Sequence, residues 1–271
     1  MMTFEQIDRK KCKWEAAELL RDAQVSPKGM TALYMALVLA LGLISSLADS
    51  GFLGIFISIL TSLLGTVLAA GFVLYCMAVR RGERAEYLTL FDGFSFVGKL
   101  IMLEIITSFF IFLWTLLFIV PGIIAAYRYQ FARYNLYENP GIGVMEALDM
   151  SKRQTLGYKS QLFMLDLSYI GWVLLARLPS SLLIQQVARD VTAEMFYGIP
   201  APDTYFGLPL IALDLILGLW TLAVNLFYYP NYICVQLAYF DTAKRTSGVG
   251  LEAEPPQPGP WDGWNAPDGL N

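Results

Sequence analysis

Long apolar stretches alternate along this chain with short polar ones, most of them basic. Six apolar stretches stand out: about Met30 to Leu47, Phe52 to Met77, Leu100 to Val120, Ile123 to Tyr137, Leu162 to Leu178, and Leu208 to Tyr229, the last either continuing past Pro230 or broken there. A helix that crosses a bilayer needs about 20 residues at 1.5 Å each. The second, third and sixth stretches reach that length. The first and fifth lie near its lower limit. The fourth is short and carries Arg128, Gln130 and Arg133. The pattern predicts an all-α polytopic transmembrane bundle of six helices.

The polar segments orient it. Arg9, Lys10, Lys11, Lys13, Arg21 and Lys28 precede the first stretch, and Arg80, Arg81, Arg84 and Lys99 follow the second. Lys152, Arg153 and Lys159 follow the fourth, and Lys244 and Arg245 the sixth. The link between stretches one and two holds only Asp49. The link from Pro179 to Gly207 holds Arg189 against Asp190, Glu194 and Asp203. Basic loops stay in the cytoplasm, so both termini are expected there. The chain between Leu100 and Tyr137 must then cross twice or not at all. Pro121 and Gly122 provide a break suited to a tight turn. The preferred reading is a helical hairpin with its tip at the outer face. A re-entrant hairpin and a single helix kinked at Pro121 are the alternatives.

Local signals divide the rest into three domains. Residues 1–29 are expected to hold a cytoplasmic amphipathic helix, Thr3 to Gln24, with Phe4, Ile7, Trp14 and Leu20 among charges. Residues 30–245 form the transmembrane domain. Within it, Tyr87 to Gly98 is expected at the interface and Val144 to Leu156 as a short helix between Pro140 and Gly157. Residues 246–271 are rich in Pro, Gly, Asp and Glu and are expected to be a disordered tail, with Trp261 and Trp264 as a docking motif or as chance aromatics.

Composition sharpens the class. Of 271 residues 56% are hydrophobic and 15% charged, and the mean hydropathy is +0.51. A soluble domain has roughly 45–50% apolar residues. A net charge of −4 argues against a nucleic-acid partner. The chain has no histidine, which removes His-based zinc sites, His-activated nucleophiles and His-ligated haem. Cys12, Cys76 and Cys234 are too widely spaced for a metal knuckle or disulfide framework and are expected as free thiols. No cleavable signal is expected, because residues 1–29 are polar and mixed in charge. No phosphate loop, dinucleotide fingerprint or metal constellation is present, so no cofactor is expected.

Several segments carry a resemblance: Phe91-Asp92-Gly93-Phe94, Leu116 to Ile124 around Pro121-Gly122, Glu138-Asn139-Pro140, Glu146-Ala147-Leu148-Asp149-Met150-Ser151-Lys152, Gly157-Tyr158-Lys159 and Leu165 to Trp172. In this order, over about residues 5–245, the chain resembles a bacterial integral membrane protein family known as domain of unknown function 975. It looks more distantly like the six-helix membrane part of some glycerophosphodiester phosphodiesterases. The resemblance implies the hairpin and a bacterial plasma membrane; it brings no catalytic residue. Arg128 and Arg133 depart from the small or neutral residues usual in the family's fourth helix, and Pro230-Asn231-Tyr232 departs from its Pro-Tyr.

Ionisable residues inside a bilayer are costly and mark candidate sites. Here they are Glu104, Arg128, Arg133, Asp166 and Asp214. In the hairpin, Arg133 and Asp166 lie at one depth and Arg128 and Asp214 at another, which predicts two Arg–Asp pairs. These would serve either a substrate or proton path or the cohesion of the bundle. Gly54, Ser58, Ser62, Thr66 and Ala70 recur every fourth residue and form one small face, for packing within the bundle or for a homodimer seam. Trp114, Trp172, Trp220, Tyr228, Tyr229 and Tyr232 fit anchoring or packing. The functional expectation is a non-enzymatic structural or interaction protein of the membrane, with the lipid bilayer and a homo-oligomer or membrane-protein partner. The alternative is a small-molecule or lipid transporter using the intramembrane Arg and Asp residues.

Overall fold

The computed structural model describes residues 5–47, 51–200, 202 and 204–251. Asp49, Asp203, Thr3, Phe4, Trp261, Trp264 and the tail beyond Leu251 lie outside that description. The described residues are nearly all helical: α1 (Arg9–Arg21), α2 (Pro27–Ser46), α3 (Phe52–Arg81), a 3-10 helix (Tyr87–Phe96), α4 (Val97–Leu117), α5 (Ile119–Tyr129), α6 (Ala132–Glu138), α7 (Val144–Gln154), α8 (Lys159–Leu167), α9 (Ile170–Tyr197) and α10 (Leu210–Ser247). Five of these segments are long and apolar enough to cross a membrane: α2, α3, the 3-10 helix continued by α4, α9, and α10. A sixth is not established, because residues 119–138 divide into α5, of 11 residues, and α6, of 7.

The starts and stops follow local chemistry. Asp8 caps α1 by accepting from the amides of Lys10 and Lys11. Ser26 caps α2 by accepting from Gly29, with Pro27 just inside, where its missing N–H costs nothing. Gly82, at φ +68°, ends α3. Past it the chain turns back, and the 3-10 helix packs directly on α3. A Cβ on Gly71 would lie 1.9 Å from the carbonyl oxygen of Leu90, and one on Gly93 2.7 Å from that of Val67. Two glycines thus set the closest helix approach in the molecule. Leu90 and Phe96 are buried by it, while Phe91 and Phe94 stay exposed.

The expected hairpin is present, but its turn is not Pro121-Gly122. Phe118, in extended conformation (φ −162°, ψ 153°), closes α4 and opens α5. Pro121 sits in the first turn of α5, where proline is tolerated. Gly122 serves packing: a Cβ there would lie 2.2 Å from Thr115 Oγ1, so α5 can lie against α4 only without a side chain. Farther along, Phe110 stacks on Tyr129, with ring centroids 5.8 Å apart.

Two other boundaries differ from expectation. The fifth stretch breaks at Ser168-Tyr169, and the long helix is 170–197 rather than 162–178. Residues 179–197, read as a link, continue it through Pro179. The sixth stretch does not break at Pro230: α10 runs for 38 residues with that proline buried inside.

Burial is uneven along the axis. In α3 nearly every residue from Val67 to Met77 is buried, whereas between Phe52 and Thr66 only Gly54 is. In α10 burial begins at Val224. One end, built from α1, α6, α7, α8 and the C-terminal half of α10, is therefore a packed core. At the other, α9 and the first half of α10 present Leu, Ile, Trp and Phe side chains outward.

Candidate functional site

A polar cavity of about 490 Å³ lies where the packed end meets the open one, among α3, α4, α5, α6, α8 and α10. Its wall depends on the α5–α6 break. Near Tyr129 the helix tightens, with the Gln130 amide donating to the Tyr127 carbonyl at 3.5 Å. Ser151, fully buried in α7, holds the break: its Oγ accepts from the Phe131 amide at 3.2 Å and donates to the Arg128 carbonyl at 2.9 Å. Thr155 donates to that carbonyl as well, at 3.3 Å. Ser151 and Thr155 thus satisfy the backbone groups that a broken helix leaves open. Alongside, Asn135 and Gln154 exchange two amide hydrogen bonds of 2.8 and 2.9 Å. The serine of the Ala147-Leu148-x-x-Ser151 segment is a structural clasp.

Asp166, on the last turn of α8, anchors one wall. Tyr127 Oη donates to its Oδ2 at 2.9 Å, and Tyr232 Oη to its Oδ1 at 3.0 Å. Gln236 Nε2 donates to Tyr232 Oη at 2.6 Å, and Tyr134 Oη to Gln236 Oε1 at 2.7 Å. A directed chain Tyr134–Gln236–Tyr232–Asp166 results, closed from the other side by Tyr127. On the opposite wall, Arg133 Nε lies 3.0 Å from Glu104 Oε1 across the hairpin. That is the guanidinium's only ion pair among the described residues, and its terminal nitrogens have no protein acceptor. Two further lining atoms are buried without a partner, Gln130 Oε1 and Thr107 Oγ1. Buried polar atoms are rarely left so, since each costs about 1–3 kcal/mol.

The candidate residues are thereby sorted. Arg133 and Asp166 line this cavity, and Glu104 is joined to it through Arg133. The two predicted Arg–Asp pairs do not form: Arg133 meets Glu104, and the Arg128 side chain has no ion pair among the described residues and lies 5.9 Å over the Tyr129 ring. Asp214 lines a separate, mostly apolar cavity of about 350 Å³ among α2, α9 and α10, beside Leu39 and Gly218. The small face of α3 divides its work. Ser58 Oγ meets Ser45 Oγ of α2 at 3.0 Å, and Gly54 is buried. Ala70 packs beneath the 3-10 helix near Gly93. Ser62 is exposed, and Thr66 bonds back to the Ser62 carbonyl. Trp220 donates to the Leu175 carbonyl at 2.9 Å, and Trp172 stacks on Tyr228.

Sequence reading missed three groups. Gln130 and Gln236 carry no charge and did not count as costly. Arg177 lies well inside α9 and is exposed there, without an ion pair among the described residues; it stood at the end of the apolar stretch and was not weighed. Among the described residues no three His, Cys, Asp or Glu side chains converge as metal ligands.

A family model described as "Protein of unknown function (DUF975)" matches residues 1–126 and again 118–245. The chain belongs to this family. No curated protein and no solved structure matches it, and the more distant likeness to glycerophosphodiester phosphodiesterases is not shown. The two stretches matched to DUF975 overlap over 118–126, the turn of the hairpin. The motifs that define the resemblance are largely those that build the cavity: the Pro-Gly hairpin brings Glu104 to Arg133, the Ala-Leu-x-x-Ser segment clasps the break, and Leu165-Asp166-Leu167 brings the carboxylate.

Proposed function

We propose that this DUF975 protein is a non-enzymatic, multi-pass protein of the bacterial plasma membrane that handles a small zwitterionic solute in the cavity between Arg133 and Asp166. One observation carries the reading: a guanidinium with free terminal nitrogens and the unpartnered Gln130 and Thr107 oxygens face the same space as Asp166. Groups of opposite charge on facing walls suit the two ends of a zwitterion, and the phenol rings around Asp166 suit its cationic end. The cavity is lined by no histidine or cysteine, and its carboxylate is held by phenols and an amide, which supports a binding role. The packed end carries Arg80, Arg81, Lys99, Lys152, Arg153, Lys159, Lys244 and Arg245, which supports placing it and both termini in the cytoplasm.

The alternative is a scaffold or interaction protein that binds no solute and is held together by the same charges. Accessibility separates the two. With Cys12, Cys76 and Cys234 replaced and a single cysteine at Ala126, which lines the cavity, a small charged thiol reagent should label the protein in sealed vesicles. Labelling by a lipid-soluble maleimide alone would show a dry, packed wall and leave the scaffold reading standing.

A further inference from the structure

A third cavity, of about 730 Å³, lies beside α1 and shares no lining residue with the other two. Lys13 and Arg21 of α1, Ser26 and Lys28 at the start of α2, Trp172 of α9 and Phe227 of α10 are among its walls. It takes in the first turns of α2 and α9, so it lies at the height where two of the long apolar helices begin. We propose that it binds the headgroup of an anionic glycerophospholipid, with the phosphate among Lys13, Arg21 and Lys28 and an acyl chain along Trp172 and Phe227.

Charge argues for the occupant. The cavity is lined by three cations and no carboxylate. Elsewhere at the packed end five cations are matched, Arg80 with Asp241, Arg81 and Lys244 with Glu138, Lys152 with Asp149, and Lys99 with the carbonyls of Pro140, Gly141 and Ile142, while unpaired ones such as Arg153 stand singly on the surface. Lys13, Arg21 and Lys28 have no ion-pair partner among the described residues.

Geometry argues that the site is built. Tyr169 Oη donates to Asn231 Oδ1 at 2.6 Å, and Asn231 Nδ2 donates to the Lys13 carbonyl at 3.0 Å. This fixes α1 against α10 and sets the Lys13 ammonium 3.9 Å over the Tyr169 ring. Burial, and after it the charge of Arg9, lowers the Lys13 pKa, a cost that a bound anion relieves. Below the cations the wall turns aromatic and opens sideways, with Trp172 and Phe227 exposed. A cationic rim over an exposed aromatic face matches an anionic headgroup joined to an acyl chain, and a free anion would use only the rim.

The test uses the full chain, delipidated in neutral detergent. It is titrated with short-chain phosphatidylglycerol, short-chain phosphatidylcholine and inorganic phosphate, and binding is read by native mass spectrometry and thermal shift. Phosphatidylglycerol should bind at least about tenfold more tightly than phosphatidylcholine, and millimolar phosphate should not displace it. The triple variant Lys13→Gln, Arg21→Gln, Lys28→Gln should bind it roughly a hundredfold more weakly, at about fivefold per cation. A triple variant removing equal charge from exposed, unpaired sites (Lys10→Gln, Arg84→Gln, Arg153→Gln) should match the wild type. Equal binding of the two lipids, or equal losses in the two triple variants, overturns the proposal. Complete displacement by phosphate overturns the lipid as occupant. Should the first triple variant not fold, Lys28→Gln alone, at an exposed site, must still weaken phosphatidylglycerol binding about fivefold, and no change there overturns it too.

Discussion

The two halves of α3 present the most instructive contrast in the molecule. From Val67 to Met77 the helix is enclosed by the 3-10 helix, α2 and α10; from Phe52 to Thr66 its apolar side chains point outward. Both halves are equally apolar in sequence. In the open half, lipid is the solvent and removes any need for burial by protein. In the packed half, tyrosines, amides and ion pairs do the joining, as in the stack of Tyr34, Phe72 and Tyr229. Apolarity alone therefore does not separate the two halves; what separates them is whether the 3-10 helix, α2 and α10 cover the helix.

Substitutions in the two halves should break or sharpen that contrast. The largest effect is expected at Gly71. Gly71→Ala forces a methyl into the Leu90 backbone and should cost about 3 kcal/mol in detergent unfolding. Gly65→Ala, six residues away with nothing within 4 Å, should be neutral or stabilise by about 0.5 kcal/mol. Equal effects would mean that the 3-10 helix does not pack as described. Next, Ser151→Ala leaves the Phe131 amide and Arg128 carbonyl short of a partner and should cost about 2 kcal/mol in the same assay. A smaller effect, about 1 kcal/mol, is expected for the Glu104–Arg133 pair, since both groups are partly exposed. Exchanging these two residues should recover the expression lost in either single reversal, and exchanging Arg128 with Asp214 should not. The smallest belongs to the open half: Ser58→Ala should change thermal stability by about 0.5 kcal/mol or less.

Much of this was legible in the sequence. Four of the five long segments start or stop near the expected positions, because apolar length alone decides them. The hairpin was legible through Pro121-Gly122, although Phe118, which makes the turn, carries no turn signal of its own. The limits of α9 were not legible: Arg189, Asp190 and Glu194 dilute the hydropathy without interrupting the helix. The helix continues past Pro230, because the hydrogen bond lost there is one among many and the C-terminal half of α10 is packed. The Arg–Asp pairing failed for a related reason. Equal depth places two groups at one level of a bundle but not on facing sides, and Glu104, which lies about as far before the Phe118 turn as Arg133 lies after it, was the nearer neighbour.

One consequence of α10 reaches beyond packing. Its 38 unbroken residues make a rod about 57 Å long, longer than the roughly 30 Å hydrocarbon core of a bilayer. The rod touches the apolar cavity at Asp214, the polar cavity at Gln236 and the ion pair of Arg80 at Asp241. It is a lever without a joint. A tilt of about 5° at one end would displace the other by about 5 Å, so the level of Asp214 and the ion pair at Asp241 share one mechanical element.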